Sequence, residues 1–216
     1  MAFLDVNNLL STPKWRHISG QGMCHRPHKR LILQSLVSVL ESHVEGDIVE
    51  LGCHEGGLSK YLKLVLDLYD VYPHRKKLYL YDSFEGLPTS RRAHEAGWEG
   101  METTVEEVLL SFEINNISPP YKIHKGWFKE LKPEDLPEKI AFAFYDGDLY
   151  ESIYDSFEKT YHLVSEGGTI VIHDYGDPRF KGVEEACLDF LGDKAQDIVM
   201  SDESAECRFV GVLQKK

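Results

Sequence analysis

Residues 46–57 read GDIVELGCHEGG, and their reading decides the fold. Asp47–Leu51 is an apolar run of strand length, broken off on one side by Gly46 and followed by Gly52, Gly56 and Gly57. Beyond it Leu58, Tyr61, Leu62, Val65, Leu66 and Tyr69 recur three and four apart, as on one face of a helix. A buried strand, a glycine turn and a helix form the unit from which parallel sheets are built. Glycines there let the backbone turn tightly and approach a ligand as the helix begins. The turn is not GxGxxG, and a plain strand–helix connection also reads this way.

Working outward, Pro27 suits the first turn of a helix whose face is Leu33, Leu36, Val37, Leu40 and Val44, so residues 1–45 form an N-terminal helical segment. Downstream, Lys77–Tyr81, Tyr121–His124, Ile140–Tyr145 and Thr169–Ile172 read as strands. Thr104 and Glu107 have capping-box spacing before a helix faced by Val105, Val108, Leu109 and Phe112. A second stripe runs from Tyr150 to Val164 and stops at Gly167-Gly168; a third carries Val183, Ala186, Cys187 and Phe190. Asp197–Met200 and Arg208–Leu213 read as a closing hairpin. This alternation predicts an α/β fold with a mostly parallel sheet covered on both faces, and ligands beyond the carboxyl ends of its strands. Residues 83–102 have no period and are rich in Gly, Arg, Glu and His; a loop of that length is expected to be functional, here a lid carrying Arg91, Arg92, His94 and Trp98. With no repeat, linker or low-complexity tract, residues 1–216 read as a single domain.

The chain has 216 residues and a formal net charge of −12, which argues against a broad phosphate-binding surface and so against nucleic acid as a partner. No apolar run approaches the roughly 20 residues that span a bilayer, so no membrane partner is expected. MAFLDVNNLL at the start lacks the features of a signal peptide. Cys24, Cys53, Cys187 and Cys207 are scattered without a CxxC pair, which suits free thiols in the cytoplasm.

Asp82 closes the second strand, where a carboxylate accepts hydrogen bonds from both hydroxyls of a ribose. With the glycine turn it favours an adenosine-containing cofactor, either a dinucleotide or S-adenosylmethionine. Asp146 and Asp174 end two further strands; if those strands are neighbours, both acids reach a single ion. Oxygen ligands favour Mg²⁺, whereas His173 beside them suits Zn, Fe or Mn-like ions. Both acids also read as helix N-caps. The string Cys24-His25-x-x-His28 lacks a second half and reads as an entry to a helix before it reads as a metal site. Arg16, Arg26, Lys29 and Arg30 read as a solvated face, or as a contact for a carboxylate or phosphate. Tyr145, Tyr150, Tyr154 and Tyr161 read as a stacking surface for an acceptor or, at helical spacing, as core or interface residues, and Tyr150 and Tyr175, next to the acidic motifs, are the expected site residues among the tyrosines.

Five strings together, GDIVELGCHEGG (46–57), LYLYDSFEGLP (78–88), KGWF (125–128), FYDGDLYES (144–152) and GGTIVIHDYGD (167–177), resemble the TylF-like, or macrocin O-methyltransferase, family. The resemblance implies a Rossmann-like class I methyltransferase fold with a seven-stranded, mostly parallel sheet and a C-terminal antiparallel hairpin. It implies an S-adenosylmethionine-dependent O-methyltransferase acting on a sugar hydroxyl with a divalent cation, Mg²⁺ or Mn²⁺. On that resemblance Glu50, Gly52 and Gly57 hold the methionine end of the cofactor and Asp82 its ribose, with Ser83, Gly126 and Trp127 near the adenine. Cys53 and Asp146 also face the cofactor; Asp146, His173 and Asp174 are the metal ligands, and Asp148 is the base with His173 as its rival. His173 stands where the family commonly has Asp. The expected partner is a sugar-containing small molecule, and a homodimer stays open. Other readings are a catechol-like acceptor, an NAD-type oxidoreductase, disfavoured by the lack of GxGxxG and Tyr-x-x-x-Lys, or a non-catalytic cofactor-binding module.

Overall fold

The structure, a computed structural model, describes residues 6–11, 24–69, 76–200 and 209–216. Arg16, Cys207 and Arg208, named above, lie outside them. The sheet has seven strands: β1 (Asp47–Leu51), β2 (Leu78–Asp82), β3 (Tyr121–Lys125), β4 (Ile140–Tyr145), β5 (Val164–His173), β6 (Val199–Met200) and β7 (Val210–Gln214). Their spatial order is β3-β2-β1-β4-β5-β7-β6. Strands β1 to β5 pair in parallel, whereas β7 runs antiparallel to both β5 and β6. The order reverses between β1 and β4, which opens a crevice at their carboxyl ends.

Side-chain alternation divides the core between the two faces. Ile48, Leu78, Leu80, Phe142, Phe144 and Val171 point to one side. They pack against α2 (Arg26–Glu41), α3 (Ser59–Tyr69) and α4 (Val105–Ile114), with the short α1 (Val6–Ser11) on α2. Val49, Leu51, Tyr79, Tyr81, Ala143, Tyr145 and Ile172 point to the other, under α5 (Tyr150–Thr160) and α6 (Lys181–Leu191). Burial on both faces explains why β4 reads Ile-Ala-Phe-Ala-Phe-Tyr without a polar residue. The Thr104–Glu107 capping box forms at α4 as the sequence requires, and Pro27 lies in the first turn of α2.

Three local expectations are corrected. Gly167-Gly168 does not end the chain segment before a strand; β5 already starts at Val164. Gly167, at φ +77°, lets β5 shift register against β4 while Gly167 N–H donates to the Lys215 carbonyl, so the pair forms an irregularity inside the strand. Leu109 is exposed, because Val108 and Phe112 alone carry the buried seam of α4. Val44 lies past the end of α2, against the core.

Candidate active site

Backbone contacts at the crevice tie three strand ends together. Asp146 N–H donates to the Leu51 carbonyl at 2.9 Å, and Gly52 N–H donates to that of Tyr81 at 2.8 Å. Gly52, at φ +98°, leaves no room for a side chain: an added Cβ would lie 1.9 Å from the Asp146 carbonyl oxygen. The glycine is therefore what lets the turn after β1 and the acidic strand end share one wall.

That wall belongs to a cavity of about 990 Å³, room for two small substrates side by side. Of the residues expected from the sequence, Gly52, Asp82, Ser83, Trp127, Asp146, Asp148, His173 and Asp174 line it. Glu50, Cys53, Gly57 and Gly126 do not. Glu50 is buried behind the turn and accepts a hydrogen bond from the Ser59 hydroxyl; burial pushes its carboxyl well above the usual range. Cys53 is buried too, and burial raises its thiol, so it is no thiolate. These two residues brace the turn from behind.

Asp82 is held from two sides. Its Oδ2 accepts from His54 N–H and its Oδ1 from Phe84 N–H, each at 2.8 Å. Each oxygen keeps a lone pair, which fits a ribose diol. Burial raises its carboxyl, and the two amide bonds oppose that.

The acidic end lies across β4 and β5, which are neighbours as expected. His173 Nδ1 is 3.0 Å from both Asp146 Oδ1 and Asp174 Oδ2. Its Nε2 is 3.0 Å from Nδ1 of His28, so both ring nitrogens are engaged. Burial presses the imidazole down, but Asp146 and the surrounding hydrogen bonds outweigh it and raise His173 well above the ordinary value. Asp148 is pushed up by burial and then by Asp146 and Asp174. Asp148 (φ +60°) and Asp174 (φ +56°) both sit in the left-handed region, strain that the tight strand–helix turns impose where the carboxylates converge. Asp177, almost fully buried, is neutralised by a bidentate Arg179 and held below the usual range. Eight acidic side chains line the cavity against three lysine or arginine side chains, Arg91, Lys129 and Arg179, an environment suited to cationic ligands.

The donors at this end fit a divalent cation by charge, since Asp146, His173 and Asp174 offer ligand atoms within 4.8 Å of one another. The imidazole departs from the all-oxygen set that Mg²⁺ prefers.

The loop 83–102 walls the cavity but is pinned down. Glu95, 2% exposed, accepts from Tyr150 N–H at the start of α5 and from the Ser90 hydroxyl. Arg92 reaches Asp189 and Glu185, and its guanidinium lies 3.9 Å from the Tyr150 ring centroid. Arg92 and His94 thus face α6, while Arg91 and Trp98 line the cavity. Tyr150 and Tyr175 do not line it: Tyr150 donates to Asp189 and Tyr175 belongs to the core. Tyr145, Tyr154 and Tyr161 are packing residues as their spacing implies. Arg26, Lys29 and Arg30 stay off the cavity wall. Sequence reasoning missed His54, Met101, Phe180 and Phe209 in the lining, and took Cys24 and His28 for a helix entry although both line the cavity.

The sheet order, with the glycine turn after β1 and an acid at the end of β2, is that of a Rossmann-like methyltransferase fold. A family model described as Macrocin-O-methyltransferase (TylF) matches residues 17–205, and the chain belongs to that family of S-adenosylmethionine-dependent O-methyltransferases. It is 30% identical over 187 residues to the 8-demethyl-8-(2,3-dimethoxy-alpha-L-rhamnosyl)-tetracenomycin-C 4'-O-methyltransferase of Streptomyces olivaceus, covering 82% of this chain and 68% of that one. It is 31% identical over 159 residues to the demethyldecarbamoylnovobiocin O-methyltransferase of Streptomyces niveus, over 68% of this chain and 60% of that protein. The solved O-methyltransferase NovP superposes with a TM-score of 0.76 at 25% identity, covering 88% of this chain and 80% of its own. No helix among the described residues is long and apolar enough to cross a membrane.

Proposed function

We propose that the chain transfers a methyl group from S-adenosylmethionine to a hydroxyl of a sugar-containing small molecule, with a divalent cation at the acidic end of the cavity. The observation that carries this is the joining, through Gly52 and Asp146, of the cofactor turn to the carboxylate cluster in one cavity. Gly52, Asp82, Ser83 and Trp127 bind the cofactor, Asp82 through its remaining lone pairs. Trp98 and Phe180, with ring centroids 4.8 Å apart, give the cavity an aromatic edge for the apolar face of a sugar ring. Sugar-bearing substrates in the name of the Streptomyces olivaceus relative point the same way. Buried free thiols at Cys24, Cys53 and Cys187 suit the cytoplasm.

Asp148 takes the proton of the acceptor hydroxyl as the oxygen forms its bond to the methyl carbon and the carbon–sulfur bond breaks. His173 is the weaker candidate, because both its ring nitrogens are already engaged. The cation, when bound, supplies charge that lowers the pKa of a hydroxyl and orients it. Positioning by the cavity walls supplies much of the rest.

The test is calorimetric titration with S-adenosylhomocysteine, with NAD as control, followed by transfer assays on sugars, nucleotide sugars and catechols. Binding of the homocysteine compound alone, with transfer to a sugar hydroxyl, is the expected result. Failure to bind it under any condition removes the reading, and transfer only to catechols moves the acceptor class.

A further inference from the structure

Two groups of metal-ligating side chains share His173: Asp146–His173–Asp174, and Cys24–His28–His173. One imidazole serves only one of them well, because a neutral ring offers a single nitrogen lone pair and keeps a proton on the other nitrogen. The surroundings decide which. Nδ1 faces two carboxylate oxygens, each at 3.0 Å, and that pairing holds the proton there. Nε2 is left facing His28 Nδ1 at 3.0 Å, with the Cys24 ligand atom within 4.8 Å of those of both residues. A carboxylate behind a histidine, fixing its tautomer and orientation, is the usual support of a metal-bound imidazole.

We propose that Cys24 Sγ, His28 Nδ1 and His173 Nε2 bind a thiophilic divalent cation of the zinc type, with its fourth position open to the cavity. Asp146 and Asp174 then act as outer partners of His173. The dimensions suit the ion. Two nitrogens on tetrahedral zinc stand about 3.3 Å apart, given bonds of about 2.0–2.1 Å. The imidazole pair already meets this nearly, and all three ligand atoms lie within 4.8 Å of one another. The three residues come from only two places in the fold. Cys24 and His28 bracket the first turn of α2, whose N-cap is His25, and His173 ends β5, against which α2 packs. A thiolate and two imidazoles select zinc-like ions over Mg²⁺, which demands oxygen. All three residues line the cavity, as an open catalytic-type site requires and a closed structural one does not. Binding displaces two protons, that of the Cys24 thiol and the one shared between the two imidazole nitrogens.

The use of this ion toward an acceptor hydroxyl rests on the function proposed above, but the site itself does not, so the test reads metal directly. The full chain, stripped by chelation, is titrated with Co²⁺ and followed by absorption, then with Zn²⁺ against a competing chelator. One Co²⁺ per chain, with an intense thiolate-to-cobalt band in the near ultraviolet, is expected in the unaltered protein, and that measurement needs no variant to fold. Zn²⁺ affinity is expected to fall at least 100-fold in Cys24→Ser and His28→Gln and about tenfold in Asp174→Asn. S-adenosylhomocysteine titration of each variant reports that the fold is kept. Cobalt bound without the band overturns the proposal. So does unchanged Zn²⁺ affinity in Cys24→Ser with loss in Asp174→Asn, which places the ion on the carboxylates. Zinc bound as described by a chain that shows no methyl transfer counts against the proposed function alone.

Discussion

The Asp146 carbonyl oxygen occupies the space that a side chain on Gly52 would need, 1.9 Å from the position of an added Cβ. The two ends of the site are thereby set by one backbone contact. Gly52→Ala is expected to lower stability by about 3 kcal/mol, from the clash and the positive φ together. It also parts β1 from β4, so S-adenosylhomocysteine affinity is expected to fall more than tenfold. Denaturant unfolding and calorimetry on the same preparation check both; wild-type affinity in a destabilised variant would separate the turn from cofactor binding.

Asp82 holds the loops on either side of it through His54 N–H and Phe84 N–H as well as facing the cavity. Replacing one carboxylate oxygen by an NH₂ group leaves the shape and turns an acceptor into a donor. Asp82→Asn is therefore expected to weaken S-adenosylhomocysteine binding by at least tenfold, roughly 1.4 kcal/mol, while the maximal rate at saturating donor changes little. A variant that bound normally but turned over slowly would remove the ribose assignment.

For Asp148 the opposite signature is expected. Asp148→Asn keeps the volume and removes the proton acceptor, so kcat should drop about 100- to 10,000-fold with cofactor affinity unchanged. Steady-state kinetics beside calorimetry make the comparison. If His173→Gln lost as much kcat as Asp148→Asn while retaining its metal, the base would be the histidine.

Glu95 illustrates what a sequence hides. Its carboxylate, far from any periodic segment, is buried between the start of α5 and Gly182, where an added Cβ would lie 1.7 Å from Glu95 Oε1. We expect Glu95→Ala to cost about 2 kcal/mol, since it leaves Tyr150 N–H without its partner, and to raise the acceptor KM by freeing the loop wall. Gly182→Ala should do the same by expelling the carboxylate. Loop proteolysis measured on both variants distinguishes a pinned wall from a free lid: cleavage as slow as in the parent would mean that Glu95 is not the anchor.

The strands, the glycine turn, Asp82 and the paired acids were legible because each depends on local pattern: an apolar run, a glycine, an acid at a strand end. The Thr104–Glu107 cap was legible for the same reason, its partners being three residues apart. What pattern does not carry is the meeting of distant segments. His28 and His173 are separated by 145 residues, and only the packing of α2 against β5 brings them together. Tyr150 misled because its ring, adjacent in sequence to the acidic turn, is drawn to Arg92 and Asp189 instead. Glu50 stands near the strand end as read, but its carboxyl is buried under the Ser59 hydroxyl and does not line the cavity, a placement that strand pattern alone does not reveal.

Asp155 lines the cavity from α5, half-buried, and its carboxyl is raised to about 6 by burial and then by Glu158. A carboxyl with a higher pKa in the folded chain binds more protons there than in the unfolded one. Stability therefore falls as pH rises between about 4 and about 6, and the cost is complete above that window. Asp155→Asn removes the charge that burial opposes. Discounted for its exposure to solvent, the gain at pH 7 is expected to be about 1 kcal/mol, shrinking to nothing near pH 4. Urea unfolding of both proteins across this range tests it. An advantage that persists undiminished at pH 4 would mean that the variant stabilises by packing and that the Asp155 carboxylate carries no penalty in the cavity wall.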